Sequence, residues 1–258
     1  MNADCIFQIG SDHTVCEDYA LSGITNDVIY AIVCDGCSAS PHVDFGARVL
    51  AFMTKFGIDS DYQWNNGEKV GSFSIFNAFN TYKTFFPYLP LESLDATLLT
   101  ARVKDKNVTV VVHGDGVIVH KTNGETKLVH IHLTSGAPDY LSYSCDNKRK
   151  EAYDNIADNK KVVWTSYDGI HDYKPFVPFI YESPVMEGDT ISLISDGINS
   201  FRREDNTPIA WEELVDEFTG FKNFEGEFVQ RRISAFKRKC IKENWHHSDD
   251  ISIASIHV

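Results

Sequence analysis

Three apolar, strand-like runs in this chain end in the same dipeptide, and no other feature limits its folding as much. The runs are "YAIVC", "VTVVVHG" and "TISLIS", followed by Asp35 and Gly36, Asp115 and Gly116, and Asp196 and Gly197. Two more acidic pairs flank strand-like runs: Glu17 and Asp18 precede "YALSG", and Asp249 and Asp250 precede "ISIASI". Carboxylates at strand ends can converge on one edge of a pair of packed sheets. Once together they repel one another unless a cation neutralises them. A hard cation that takes oxygen ligands and water suits such a set, which points to magnesium or manganese. Each Asp-Gly is also a standard two-residue hairpin turn. That alternative bears hardest on Asp115, which has a strand-like run on either side. Spacing by itself leaves both readings open.

The rest of the chain is read from its periodicity. Residues 28–34 form a short β-branched run with the length of a buried strand. Helices are expected at 45–56 and within 68–86, where Pro87 supplies the stop. Strands follow at 96–103, 107–112, 117–121 and 127–133, and "VTVVVHGDGVIVH" reads as a hairpin turning at Gly114 to Gly116. Residues 148–161 are highly charged and read as a solvated loop or short helix. A strand at 161–167 precedes "HDYKPFVPFIYESP", which reads as a proline-broken loop packed on the body of the protein. "MEGDTISLISDG" restores a turn, strand and turn. Helices at 210–221 and 226–244 lead to a last strand in "DISIASIHV". Phe45, Val49, Phe52 and Phe56 recur at helical spacing as a core stripe, as do Val229, Ile233, Phe236 and Cys240. Strand-rich runs broken by pairs of helices indicate an α+β fold with packed sheets rather than alternating βαβ units.

Composition narrows the partners. The 258 residues are 43% hydrophobic and 12% aromatic, enough for a sizeable core. A net charge of −13 opposes nucleic acid and anionic membrane surfaces as partners. The start, "MNADCIFQIG", lacks the basic and apolar pattern of a secretory signal, and no window has the length of a membrane span. The expectation is a cytoplasmic protein in which Cys5, Cys16, Cys34, Cys37, Cys145 and Cys240 stay reduced. Cys34 and Cys37 do form a Cys-x-x-Cys, and a thiol redox protein is the rival from another class. A redox pair normally opens a helix, however, and zinc would need a second ligand pair at suitable spacing. Asp35, between the two thiols, is the stronger candidate for chemistry.

Six blocks in order resemble the metal-dependent protein phosphatases of type 2C, and are most similar to bacterial members with an abbreviated glycine motif. They are "SDHTVCEDYA", "IVCDGCSASPHVDFGARVL", "DATLLTARV", "VVHGDGVIV", "GDTISLISDGINSF" and "SDDISIASI". The resemblance implies one catalytic domain over 1–258, a four-layer α-β-β-α sandwich with two central antiparallel sheets flanked by helices. It implies a variable, flap-like region at about 139–186, in which "GAPDYLSY" and "FVPFIY" either shape substrate choice or simply pack. Carried over by motif, Glu17, Asp35 and the Gly36 carbonyl would hold one manganese or magnesium ion. Asp35 would bridge to a second, completed by Asp196 and Asp249. Asp115 matches an acid that helps hold a third ion in some members, alongside its reading as a hairpin turn. Asp18 and Asp250 would support the ligands from behind. The implied activity is hydrolysis of serine or threonine phosphomonoesters by a water activated between two metals. A silent phosphatase-fold binding or regulatory module is the alternative. The implied partners are a phosphoprotein substrate and a signalling kinase, for a monomeric enzyme.

Two positions depart from the family pattern. His13 stands where many relatives place a phosphate-gripping arginine, and it lacks the bidentate fork. It reads either as a phosphate contact or as a packed histidine. Cys37 stands where some relatives have a histidine that protonates the leaving oxygen, with His42 or a metal-bound water as substitutes.

Overall fold

In the computed structural model, which describes residues 1–60 and 67–258, the run Val28–Cys34 is a strand buried along its whole length. Ile29, Ala31 and Val33 enter one apolar cluster, while Val28, Tyr30, Ile32 and Cys34 enter another. A strand apolar on both faces has to lie inside a layered structure, and the rest of the chain supplies the layers.

In chain order the strands are β1 (Asn2–Gln8), β2 (Tyr19–Thr25), β3 (Val28–Cys34), β4 (Leu98–Lys104), β5 (Asn107–His113), β6 (Gly116–Thr122) and β7 (Glu125–Leu133). They continue with β8 (Lys161–Thr165), β9 (Gly169–Tyr173), β10 (Phe179–Pro184), β11 (Thr190–Ile194), β12 (Phe201–Arg202), β13 (His246–His247) and β14 (Ile251–His257). The helices are α1 (Val43–Asp59), α2 (Gly67–Phe85), α3 (Asn147–Asp154), α4 (Trp211–Thr219) and α5 (Phe228–Glu243). One antiparallel sheet has the order β1-β14-β11-β6-β7-β8-β9 and the other β10-β5-β4-β3-β2.

Alternation along the strands builds the layers. Ile118, Ile191, Leu193, Ala254 and Ile256 face the core between the sheets, together with Leu99, Ala101, Val110 and Val112 from the other side. Val117, Val119, Ile194, Ile251 and Ile253 face outward, against Leu214 and Phe218 of α4 and Val229, Ile233 and Phe236 of α5. Helix α1 covers the opposite face through Ala47, Leu50 and Ala51. The result is the expected α+β sandwich: two central antiparallel sheets flanked by helices. Among the described residues no helix is long and apolar enough to cross a membrane.

Four expectations need correction. Residues 114–116 do not turn a hairpin, because β5 pairs with β4 and β10 while β6 pairs with β11 and β7 in the other sheet. The Gly114 N–H donates to the Asp139 carboxylate at 3.1 Å instead of closing a hairpin. The two-residue turns lie elsewhere, at Asn26 and Asp27, Asp105 and Lys106, and Asn123 and Gly124, all with positive φ. Secondly, Phe52 and Phe56 are 48% and 54% exposed. Helix α1 turns its small residues inward (Gly46, Ala47 and Ala51), because small side chains let it lie close to the sheet. Thirdly, the aromatic stretch read as a loop contains the end of β9 and all of β10, which are edge strands of the two sheets. Finally, β1 was not anticipated; it pairs with β14 along its full length.

Candidate functional site

The strand registers bring the acidic pairs together. Tyr19 of β2 pairs with Cys34 of β3, so Asp18 and Asp35 continue that ladder at the same end. Ile194 of β11 pairs with Val117 of β6 and with Ile253 of β14. Asp196, Asp115 and the pair at 249–250 therefore leave the larger sheet side by side, at the end where Asp35 leaves the smaller one. None of the three Asp-Gly pairs forms a hairpin. Asp35 and Gly36 run into a bridge with Ala96, Asp115 and Gly116 cross between the sheets, and Asp196 opens the 3-10 turn Asp196–Ser200.

Backbone crowding makes two of the glycines necessary. A Cβ on Gly36 would lie 2.8 Å from the Glu17 carbonyl oxygen, and one on Gly197 would lie 1.8 Å from that of Asp250. Only a hydrogen fits at either point, so these glycines allow the acidic segments to converge. Thr97 fastens Asp35 from the next strand: its Oγ accepts the Asp35 N–H at 3.0 Å, and its own N–H donates to the Asp35 carbonyl at 2.8 Å.

The carboxylates crowd at this end of the sheets. Burial, followed by the charges of Asp18 and Asp196, pushes Asp35 well above the usual carboxylate range. Burial, then Asp196 and Asp139, does the same to Asp115. Asp18 is pushed up to about 7 by burial, although the hydroxyls of Ser252 and Ser195 favour its charge. Its Oδ2 accepts from Ser252 Oγ at 2.6 Å. Asp249 is pushed up to about 6, by burial first and Asp196 next.

His13 sits among carboxylates. Its Nδ1 lies 3.0 Å from Asp250 Oδ2 and 3.4 Å from Glu17 Oε2, and its Nε2 lies 3.4 Å from Asp249 Oδ1. Burial opposes its charge, but these three acids outweigh that and hold its pKa above the ordinary histidine value. Asp250 is fully buried and accepts from the N–H groups of Gly10 at 2.7 Å and Glu17 at 2.5 Å. Its charge is thus used inside the protein. Glu17 Oε2, by contrast, is buried with no hydrogen-bond donor. A buried, unsatisfied carboxylate oxygen beside carboxyls that resist ionisation fits a hard divalent cation with oxygen ligands.

A cavity of about 140 Å³ opens over the cluster, with Asp35, Asp115, Asp196 and Asp249 in its lining beside Cys37 and Tyr140. Glu17 and His13 are not part of this lining. Cys34 is wholly buried against the α1 layer, so it shares no surface with Cys37. His42 is exposed at the head of α1, in a left-handed conformation, and does not line the cavity.

Three contributors were not legible in the sequence. Tyr140 lines the cavity together with Cys37. Asp95 is buried and accepts from Ser40 Oγ, Ser142 Oγ and Arg149 Nη2, while its carbonyl takes the Cys37 N–H. Asp139 takes the Gly114 and Phe176 N–H groups and pairs with Lys161 Nζ at 2.8 Å, both side chains being fully buried. Nothing local marks these residues, because their partners lie far along the chain, as Gly114 does from Asp139, 25 residues apart.

The sequence profile of the family described as protein phosphatase 2C matches residues 10–236. No individual curated sequence matches the chain. Among solved structures, the fold is similar to a bacterial serine phosphatase with a TM-score of 0.60 and 12% identity, covering 100% of this chain and 98% of that one. It is similar to the Mycobacterium tuberculosis serine/threonine phosphatase PstP with a TM-score of 0.59 and 15% identity, over 100% and 98% of the two chains. The catalytic domain of PstP in complex with two manganese ions matches with a TM-score of 0.55 and 14% identity, over 98% and 96%. At such identities the structural matches speak for the fold.

Proposed function

This chain belongs to the protein phosphatase 2C family, and from that premise we propose that it is a manganese- or magnesium-dependent serine/threonine phosphoprotein phosphatase. One observation carries the reading: carboxylates from both sheets line a single cavity, and burial and neighbouring carboxylates raise the pKa values of Asp35, Asp115 and Asp249. On this reading Glu17, Asp35 and the Gly36 carbonyl hold one cation, and Asp35, Asp196 and Asp249 hold another. Asp115, beside Asp196, serves a third. Bound there, such cations supply an activated water for in-line attack and neutralise the phosphoryl oxygens.

The chain's own residues do the positioning. Asp250 accepts the Glu17 N–H and so fixes the backbone of one ligand. Asp18, braced by Ser252, sits behind Asp35 and Asp196. His13 lies within 3.4 Å of Glu17 and of Asp249, which supports reading it as a partner of the ligands. Cys37 and Tyr140 line the same cavity, which on this reading a phosphorylated side chain enters. The partners on this reading are a phosphoprotein and the kinase that makes it, and the six sequence blocks support kinship to bacterial members with an abbreviated glycine motif.

The test is hydrolysis of p-nitrophenyl phosphate and a phosphothreonine peptide, with manganese and with chelator. Turnover should require the metal, and Asp196→Asn should lower it about a hundredfold or more, the scale of a lost transition-state electrostatic contact. Absence of manganese-dependent turnover, together with unchanged behaviour of Asp196→Asn, would overturn the enzyme reading in favour of a silent binding module.

A further inference from the structure

A second cavity, of about 360 Å³, lies on the far side of the loop that carries Asp249. It is more than twice the volume of the carboxylate cavity and falls within the range of small-molecule sites. Its origin is visible in α5. Of the apolar stripe Val229, Ile233, Phe236 and Cys240, the first three are buried under the sheet, but Cys240 is only half-buried. The stripe outruns the sheet and ends in this cavity.

The walls are aromatic. Phe236 stands 5.4 Å from Phe201 and 6.4 Å from Trp245, and the His247 ring stacks on Phe201 at 4.8 Å and 26°. One charged side chain, Lys237, joins the lining, and no acid does. This is notable in a chain with a net charge of −13. Three other cations of α5 are paired, Arg232 and Lys239 with Glu217 and Lys242 with Glu243. Lys237 has no ion-pair partner among the described residues. An aromatic cavity with one uncompensated cation and no competing carboxylate is complementary to an anion with an apolar body.

The same walls lead directly to the candidate metal ligands. His247 Nδ1 is 2.9 Å from the Asp249 carbonyl oxygen. Phe201 follows the turn that begins at Asp196. An occupant that moved the stacked pair would move the backbone on which both carboxylates stand.

We propose that this cavity binds an amphipathic organic anion, an aromatic or medium-chain aliphatic carboxylate or sulfonate, and that its occupancy changes cation affinity at the carboxylate cluster. Binding stands independently of the phosphatase reading; the coupling rests on it. The probes are 8-anilinonaphthalene-1-sulfonate, followed by fluorescence, and decanoate, as its competitor, with the intact chain. One saturable site should appear, with decanoate displacing the dye. Lys237→Glu, on an exposed position that leaves the fold untouched, should weaken both probes at least tenfold, and Cys240→Trp should fill the cavity and abolish dye enhancement. Calorimetric titration of manganese with and without decanoate should show an affinity change of about fivefold or more, matched by the same factor in decanoate affinity with and without manganese. Failure of both probes to bind, or binding that neither variant alters, overturns the proposal. So does a dimer that Lys237→Glu dissociates, which would assign the face to a second copy of the chain. Binding of decanoate with no manganese binding at all overturns the coupling and the metal reading together, while leaving the anion site established.

Discussion

Lys161→Met tests whether the buried pair with Asp139 holds the crossover that carries Asp115. Lys161 and Asp139 are fully buried and 2.8 Å apart, and Lys161 Nζ also donates to the Val177 carbonyl at 3.0 Å. At an effective dielectric of about 20, opposite unit charges at that separation attract by about 6 kcal/mol. Much of this only offsets the loss of hydration. The measurable quantity is the cost of leaving one partner alone, about 3–5 kcal/mol for a buried pair. In Lys161→Met, Asp139 keeps the N–H groups of Gly114 and Phe176 but loses its counter-charge, so stability should fall by that amount. For a chain of this size the thermal midpoint should drop by roughly 6–20 °C. Guanidinium unfolding followed by tryptophan fluorescence is well placed to read it, since Trp164 lies on the same strand as Lys161. Asp139→Asn should be comparably destabilising, because it strands the lysine. The double variant should cost at least about 2 kcal/mol less than the sum of the singles, since residues in one buried network are coupled. A loss below about 1 kcal/mol in Lys161→Met, or singles that simply add, would refute this account of the pair.

In chelator, the protein should lose stability as pH rises from about 5 to 7.5. Asp18 and Asp249, pushed up to about 7 and about 6, hold protons that the unfolded chain has already released. The raised His13 acts in the same direction, since the stability it contributes is lost as pH climbs through its folded value. Manganese should therefore raise the thermal midpoint more at pH 7.5 than at pH 5, and the opposite trend would count against the cluster. Cys34→Ser buries a hydroxyl in an apolar cluster and should cost about 1–3 kcal/mol in stability, with turnover at saturating manganese unchanged. Loss of turnover would revive a thiol mechanism. Phe56→Ser should stay within about 0.5 kcal/mol of wild type, whereas Leu50→Ala should cost about 2–5 kcal/mol; chemical denaturation distinguishes the two faces of α1.

The sequence by itself determined that this chain builds strands ending in carboxylates, and it did so through local signals. Short β-branched, apolar runs at 28–34, 107–112 and 251–257 depend only on near neighbours, so the strands were legible, as were the helices that Pro87 and the 229–240 stripe announce. The order of the acidic blocks carried the family, and with it Glu17, Asp35, Asp196 and Asp249 as a set. Only the tertiary structure decided what each Asp-Gly does. The same two residues end one strand, cross between sheets and open a 3-10 turn, because strand pairing between distant segments, and not the dipeptide, sets the path. It also decided which face of α1 is buried: periodicity gives a spacing, but close approach to the sheet selects Ala47 and Ala51 over Phe52 and Phe56. Asp139, Asp95 and Tyr140 stayed hidden for the same reason. A buried charge or phenol is placed by the partner it meets across the fold, and no window of sequence contains that partner.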